Sequence, residues 1–196
     1  MFQLFLFVSF LFSATSLQAQ KKSTAYFAGG CFWCLEAIFE TVRGVYYAES
    51  GYAGGKEKNP SYQEVSRGYT GHAETVKVVY NPNLISFEDL LRVFFNAHDP
   101  STKNAQGPDV GTQYRSMVFF QNEKEKNTIN AFISALHFSK EFSKITTEVS
   151  ALEVFYRAEE YHQDFEKRNP NNPYVRAVSK PRLSKFKKKS KSYLKD

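Results

Sequence analysis

Residues 24–42, TAYFAGGCFWCLEAIFETV, fix the start of the fold and carry its chemistry. Thr24 to Ala28 reads as a short strand of β-branched and aromatic residues. Gly29-Gly30 turns the chain, and Cys31 opens a helical pattern through Leu35, Ile38, Phe39 and Val42. Both cysteines and the only tryptophan fall within Gly30-Cys31-Phe32-Trp33-Cys34. Helix positions i and i+3 lie roughly 5 Å apart, inside the Cα window of a disulfide, so the pair can cycle between dithiol and disulfide. A cysteine at a helix start meets unpaired N–H groups and the positive dipole end, which favour thiolate over thiol. Cys31 is therefore expected to be the better nucleophile, with Cys34 resolving its oxidised product. Two plainer readings stand beside this one: a pair of small buried hydrophobes, or half of a zinc site that lacks a second CxxC or an H-x₃₋₅-H partner.

Working towards the N-terminus, Phe2 to Phe12 (FQLFLFVSFLF) is an uncharged apolar run, followed by small and polar residues up to Gln20. It is too short for a membrane span of roughly 20 residues and matches the apolar region of a secretory signal cleaved near Ala19. Residues 1–19 are expected to be that signal, residues 20–180 one catalytic domain, and residues 181–196 a basic, disordered tail. Export to a periplasmic or extracellular space follows, without stable membrane insertion after cleavage. A hydrophobic fraction of 42% with 16% aromatics excludes an intrinsically disordered chain. The net charge of +6 belongs to the segment from Lys180 onward, where eight Lys or Arg face one Asp. No nucleic-acid fold signature accompanies that run, so no nucleic-acid partner is expected and the run reads as solvated.

Towards the C-terminus, Val45 to Tyr52 reads as a strand and Ala53-Gly54-Gly55 as a turn. A polar loop follows with a short helix near Tyr62 to Val65. Ala73 to Tyr80 (AETVKVVY) alternates as a strand, and Ser86 caps a helix with Phe87, Leu90, Leu91, Phe94 and Phe95 on its apolar face. His98 to Arg115 is a long Pro-, Gly- and Asn-rich loop, of the kind that is functional in a compact domain. A strand to Phe120, a helix from Glu123 to Phe142, short strands within 145–155 and a short helix from Glu159 to Arg168 complete the chain. Strands alternating with helices, several strands antiparallel, predict an α+β fold: a two-layer αβ sandwich.

Six separated blocks, in order, resemble the peptide methionine sulfoxide reductases of the A type. They are GCFW (30–33), GYAGG (51–55), NPSY (59–62), TGHAE (70–74), HDP (98–100) and GTQYRS (111–116), within a match spanning Thr24 to Arg182. The resemblance implies a ferredoxin-like core with a mixed sheet and long active-site loops. It implies thiol-dependent reduction of the S epimer of methionine sulfoxide, protein-bound or free, with no metal or organic cofactor. By position, Cys31 resembles the nucleophile, Phe32 and Trp33 the pocket for the substrate's S-methyl group, and Glu74 the acid that protonates the sulfoxide oxygen. Tyr62 and Tyr114 match tyrosines that hydrogen-bond that oxygen, and Asp109 matches an acidic site residue; His72 shares the Glu74 block without a defined role. His98 and His162 read as structural.

The implied chemistry is physically coherent. A sulfoxide oxygen leaves only once protonated, and a Glu with an ordinary pKa of about 4.3 must be desolvated to hold that proton near neutrality. Attack would leave Cys31 as a sulfenic acid, Cys34 would close a disulfide, and a thioredoxin-like dithiol would reopen it. The chain departs from many relatives in lacking a resolving cysteine in a glycine-rich C-terminal tail, which leaves Cys34 as the intramolecular candidate. A general dithiol oxidoreductase, or a surface-binding module acting through the lysine-rich tail, are the competing functional classes. A monomer is the simplest expectation.

Overall fold

Residues 21–195 are described by a computed structural model; the segment expected to be a signal lies outside the described residues. The chain runs β1 (Ser23–Ala28), α1 (Phe32–Glu40), β2 (Val45–Ala53), α2 (Tyr62–Ser66), β3 (Ala73–Tyr80), α3 (Phe87–Ala97), β4 (Ala105–Gln106) and β5 (Asp109–Val110). It continues with β6 (Met117–Phe120), α4 (Glu123–Ser139), β7 (Glu148–Ala151), β8 (Phe155–Arg157), α5 (Phe165–Arg168) and α6 (Lys180–Lys189). Six strands form one sheet in the order β7-β6-β1-β3-β2-β8. Every neighbouring pair is antiparallel except β6 and β7. Within it, β1-α1-β2-β3-α3-β6 is a ferredoxin-like βαββαβ unit, so the expected α+β sandwich on a mixed sheet is the fold observed.

The strand alternation decides what faces the helices. Ala25 and Phe27 of β1 enter the main core, where Phe27 stacks on Phe39 of α1 and Phe94 of α3, each with ring centroids 5.1 Å apart. Tyr26 and Ala28 join a smaller cluster on the opposite face with Met117 and Phe119. In β3, Val76, Val78 and Tyr80 lie in the main core, and the period of two carries Glu74 to that same face. A carboxylate thus ends an apolar stripe. Lys77, on the other face, pairs with Glu49 at 2.7 Å and not with Glu74. Ser61 and Ser86 begin α2 and α3 with complete capping boxes, closed by Glu64 and Asp89. The long loop after α3 folds into the β4–β5 hairpin and a 3₁₀ turn at Thr112–Tyr114.

The C-terminal segment corrects the sequence reading. Instead of a disordered tail over 181–196, a π-helical turn (Val175–Ser179) runs into α6, which packs on the core through the fully buried Phe186. Backbone bonds then strap the chain end to the loop after α1: Arg43 N–H donates to the Tyr193 carbonyl and Lys195 N–H to that of Thr41, both at 2.8 Å. Val175, Leu183 and Phe186 recur at near-helical spacing beneath the lysines, and this apolar stripe outweighs the charge-rich composition that suggested disorder. Phe186→Ala is expected to cost about 3 kcal/mol in urea unfolding, while Lys187→Ala on the exposed face changes stability by under about 0.5 kcal/mol. Equal effects would show that the helix is not docked.

Candidate active site

The site is built at the junction where β1 hands over to α1. Gly30 sits at φ +83°, and a Cβ there would come within 2.6 Å of the Gln106 side chain, so only glycine lets the β4–β5 hairpin close over this turn. Gly30 N–H donates to the Tyr114 carbonyl at 3.1 Å, which brings the 3₁₀ turn to the same place. Cys31 is the N-cap of α1 and Cys34 its third residue, both buried and both free thiols. Those are the positions that Ser61 and Glu64, or Ser86 and Asp89, occupy in the capping boxes of α2 and α3, where the two side chains touch. At α1 the cap makes no side-chain bond to the backbone, and two sulfurs stand in place of the usual oxygens.

Carboxylates serve the freed backbone donors. Glu74 accepts from Phe32 N–H at 3.0 Å, and Asp109 faces the Cys31 N–H while its Oδ2 accepts from the Tyr174 hydroxyl at 2.7 Å. Glu74 is buried, and burial lifts its pKa to about 8, helped by the charges of Asp109 and Cys34 and opposed by the Phe32 bond. It therefore carries its proton at neutrality. Tyr62 and Tyr114 are half-buried in the same field: burial and the Glu74 charge push Tyr62 to about 12 and Tyr114 higher still, so both remain donors. Burial also raises Asp109, against the Tyr174 bond and the Arg182 charge.

The thiols differ from the expectation. Cys31 is raised, first by burial, then by donating its proton towards Cys34 and by the nearby Glu74 charge. Cys34 is lowered to about 6, chiefly because it accepts from Cys31, with the Arg182 guanidinium adding to the effect against a burial penalty. The anion of the pair rests on Cys34, whose sulfur also lies 3.9 Å from the Tyr174 hydroxyl. The helix-start argument fails at Cys31 chiefly because burial disfavours its thiolate, and because its side chain makes no bond to the backbone N–H groups of the helix start.

Aromatic side chains form the walls. Phe32 is buried against Tyr52, Tyr62 and His162. Trp33, half-exposed, stacks on Phe165 with centroids 3.7 Å apart and donates its Nε1–H to His162 Nδ1 at 3.0 Å. That bond puts the His162 proton on Nε2, a buried atom without a partner among the described residues. Glu159 fixes the opposite wall, accepting from Tyr62 N–H at 2.9 Å and from the Tyr52 hydroxyl at 2.8 Å. Cys31, Cys34, Glu74, Asp109, Tyr62, Tyr114, Phe32 and Trp33 thus converge as the sequence suggested. His162, read there as structural, and Tyr174, not singled out, join them. His72 stands outside: its Nδ1 accepts from Gly55 N–H and its other nitrogen meets the Glu57 carbonyl, bracing the glycine turn. His98 is buried and its pKa falls to about 3 through desolvation, leaving a neutral bridge between the Phe94 carbonyl and the Ser116 hydroxyl. No group of three or more His, Cys, Asp or Glu among the described residues could hold a metal ion.

Residues 23–194 match the family model described as peptide methionine sulfoxide reductase. The peptide methionine sulfoxide reductase MsrA of Natronomonas pharaonis is 48% identical over 162 residues, 82% of this chain and 91% of that protein. Its counterpart in Pasteurella multocida is 47% identical over 167 residues, 84% and 94% of the two chains. Among solved structures, reduced Mxr1 from Saccharomyces cerevisiae superposes with a TM-score of 0.73 at 35% identity, covering 78% of this chain and 88% of that one. Methionine sulfoxide reductase A of Corynebacterium diphtheriae gives 0.68 at 34%, covering 76% of each chain. With a protonated acid beside a buried thiol pair on this fold, the chain belongs to the peptide methionine sulfoxide reductase family and is an oxidoreductase that reduces methionine sulfoxide at the expense of thiols.

Proposed function

We propose that the S epimer of methionine sulfoxide is reduced at Cys31, with Glu74 as the proton donor and Cys34 as the resolving thiol. The observation that carries this reading is the buried, protonated Glu74 held on the first N–H of α1, one residue from Cys31. The substrate's S-methyl group packs on Phe32 and Trp33, and its oxygen lies towards Glu74, Tyr62 and Tyr114. As the Cys31 sulfur attacks, its own proton passes to the Cys34 thiolate and that of Glu74 passes to the sulfoxide oxygen. A bond forms between the Cys31 and substrate sulfurs as the substrate S–O bond breaks and its oxygen leaves as hydroxide. That hydroxide then bonds to the Cys31 sulfur as the S–S bond breaks, so methionine leaves reduced by two electrons and Cys31, oxidised by two, becomes a sulfenic acid. Cys34 then attacks the Cys31 sulfur; its S–O bond breaks, and hydroxide departs with the proton held on Cys34 as water. The water carries the sulfoxide oxygen, the Cys31 hydrogen and the Glu74 proton; the disulfide carries the two oxidising equivalents, and Glu74 is reprotonated from solvent before the next turnover.

A thioredoxin-like dithiol reopens that disulfide by exchange. Mxr1 of S. cerevisiae has been solved in complex with Trx2, which supports the choice of reductant. Residues 1–19 are proposed as a cleaved secretory signal, so that the enzyme works outside the cytoplasm on oxidised proteins or free methionine sulfoxide. Intact mass of the secreted protein should correspond to a start near Gln20; retention of Phe2 to Phe12 in it would refute cleavage.

With racemic methionine sulfoxide and excess dithiothreitol, consumption is expected to stop at one half. Cys31→Ser abolishes turnover. Because Glu74 must be protonated, kcat is expected to fall as pH rises through about 8, and Glu74→Gln to lower kcat by about a hundredfold or more while removing that alkaline limb. A variant with an unchanged pH profile would exclude Glu74 as the acid. Cys34→Ser should release one methionine per enzyme and then recycle poorly with thioredoxin; wild-type steady-state rates would remove Cys34 from the cycle.

A further inference from the structure

Arg182 has a place in this site that the reaction as described does not use. It stands in the first turn of α6, half-buried, with Nε–H donating to the Ala97 carbonyl at 2.8 Å and Nη2–H to the Gly29 carbonyl at 2.7 Å. Nη1 lies 3.2 Å from where a Cβ on Gly30 would be, so the guanidinium rests flat against the turn that leads into Cys31. Among the described residues Arg182 makes no ion pair; its partners are two neutral carbonyls. A guanidinium fastened by carbonyls alone keeps its full charge for its surroundings, and half-burial limits how far water screens it. α6 packs on α1, and Phe186 of α6 shares the core cluster with Cys31 and Cys34.

We propose that Arg182 is a positioning residue for the resolving step, a fixed positive charge supplied by the C-terminal helix that stabilises the negative charge on Cys34 as that thiol gives up its proton and attacks the oxidised Cys31. The inference rests on the reading of Cys34 as the resolving thiol. The other groups facing Cys34 do not replace this charge. Cys31 offers an S–H from the turn before α1; the Tyr174 hydroxyl and that of Ser179, fully buried, also face Cys34 but donate to Asp109 and to Glu166. Glu74 of β3 and Asp109 of β5, the latter behind Tyr174, are acids that oppose a thiolate wherever they ionise. His98, at the end of α3, is held neutral. Arg182 is the cation among them, and the field that lowers Cys34 also lowers Asp109. The same two carbonyl bonds tie α6 to the ends of β1 and α3, so positioning of the charge and docking of the helix are one feature.

Charge and tether can be separated by substitution. In a Cys31→Ser background Cys34 is the only thiol of the chain, and its ionisation is read directly from the ultraviolet absorbance of the thiolate against pH. Arg182→Gln, which keeps a donor for a carbonyl and loses the charge, is expected to raise the midpoint by about one unit, a tenfold loss of thiolate on the acid side. Arg182→Lys, which keeps the charge and loses the fork, should recover at least half of that shift. Arg182→Met, retaining the stem alone, serves the same comparison should the Gln variant fail to fold. In the enzyme with both cysteines, closure of the Cys31–Cys34 disulfide after one equivalent of substrate should shift to higher pH by the same amount in Arg182→Gln. A midpoint left unmoved by Arg182→Gln and Arg182→Met, or equal shifts for Arg182→Lys and Arg182→Gln, would overturn the proposal. Failure of the wild-type enzyme to form the disulfide at any pH would instead refute resolution by Cys34, while the thiolate titration would still decide whether Arg182 sets its charge.

Discussion

Everything at this site depends on which groups occupy the open N–H donors at the start of α1. A helix N-terminus favours negative charge, and burial disfavours it. Here the two influences act on different atoms. Glu74 takes the Phe32 N–H and Asp109 faces the Cys31 N–H, so the dipole end is spent on carboxyl groups. Asp109, half-buried and bonded to Tyr174, is the better placed to carry charge; Glu74, fully enclosed, keeps its proton. One helix end thereby yields an acid and an acid's conjugate base within one turn of a thiol, without a metal ligand or a cationic base in the chemistry.

This division explains why the thiol pair is polarised as it is. Cys31 stands between the carboxyl groups and is enclosed, conditions that favour S–H. Cys34, three residues along, accepts from Cys31 and feels the Arg182 charge, conditions that favour S⁻. In the proposed mechanism the nucleophile is thus stored as a thiol with its base already attached, and both sulfurs are buried. The stored arrangement discharges only when a sulfoxide presents sulfur to Cys31 and oxygen to Glu74, because proton loss at one end is matched by proton delivery at the other. A general disulfide exchanger needs the opposite arrangement, an accessible low-pKa attacking sulfur, and Cys31 with 6% exposure is not that.

Local signals made much of this legible. Period-two alternation in AETVKVVY gives the strand, but Glu74 is singled out by its place in the TGHAE block; the alternation alone fits equally an exposed carboxylate paired with Lys77, which instead pairs with Glu49. The Gly-Gly turn and the Leu35, Ile38, Phe39 spacing fixed α1 and its two sulfurs. What composition concealed was long-range. Seven lysines and an arginine in the last 17 residues read as solvated chain, although Leu183 and Phe186 keep the helical spacing beneath them. Tyr174 reaches Asp109 across 65 positions and His162 reaches Trp33 across 129, contacts for which no local pattern exists. The protonation of the two thiols is hidden for a related reason: the dipole argument is local, whereas the burial that raises Cys31 and the Arg182 charge that helps lower Cys34 arise from packing across the fold.

The ordered C-terminus also constrains where resolution can happen. With Lys195 and Arg43 in backbone bonds across the chain end, and Arg182 and Phe186 fixing α6, no described segment beyond Ser179 is free to swing a group over Cys31. In the proposed mechanism the electron transfer between sulfurs then falls within the first turn of α1, between N-cap and third residue. That spacing lets side chains meet without unwinding the helix, as the oxygen pairs Ser61–Glu64 and Ser86–Asp89 do in the same molecule. The difference is that a disulfide draws its atoms to about 2 Å, closer than any hydrogen bond, so closure must move one sulfur towards the other. In the proposed cycle, oxidation ties the Cys31 sulfur into a bond and removes the thiol that attacks, so the oxidised site is unfit for a second sulfoxide until a dithiol restores it.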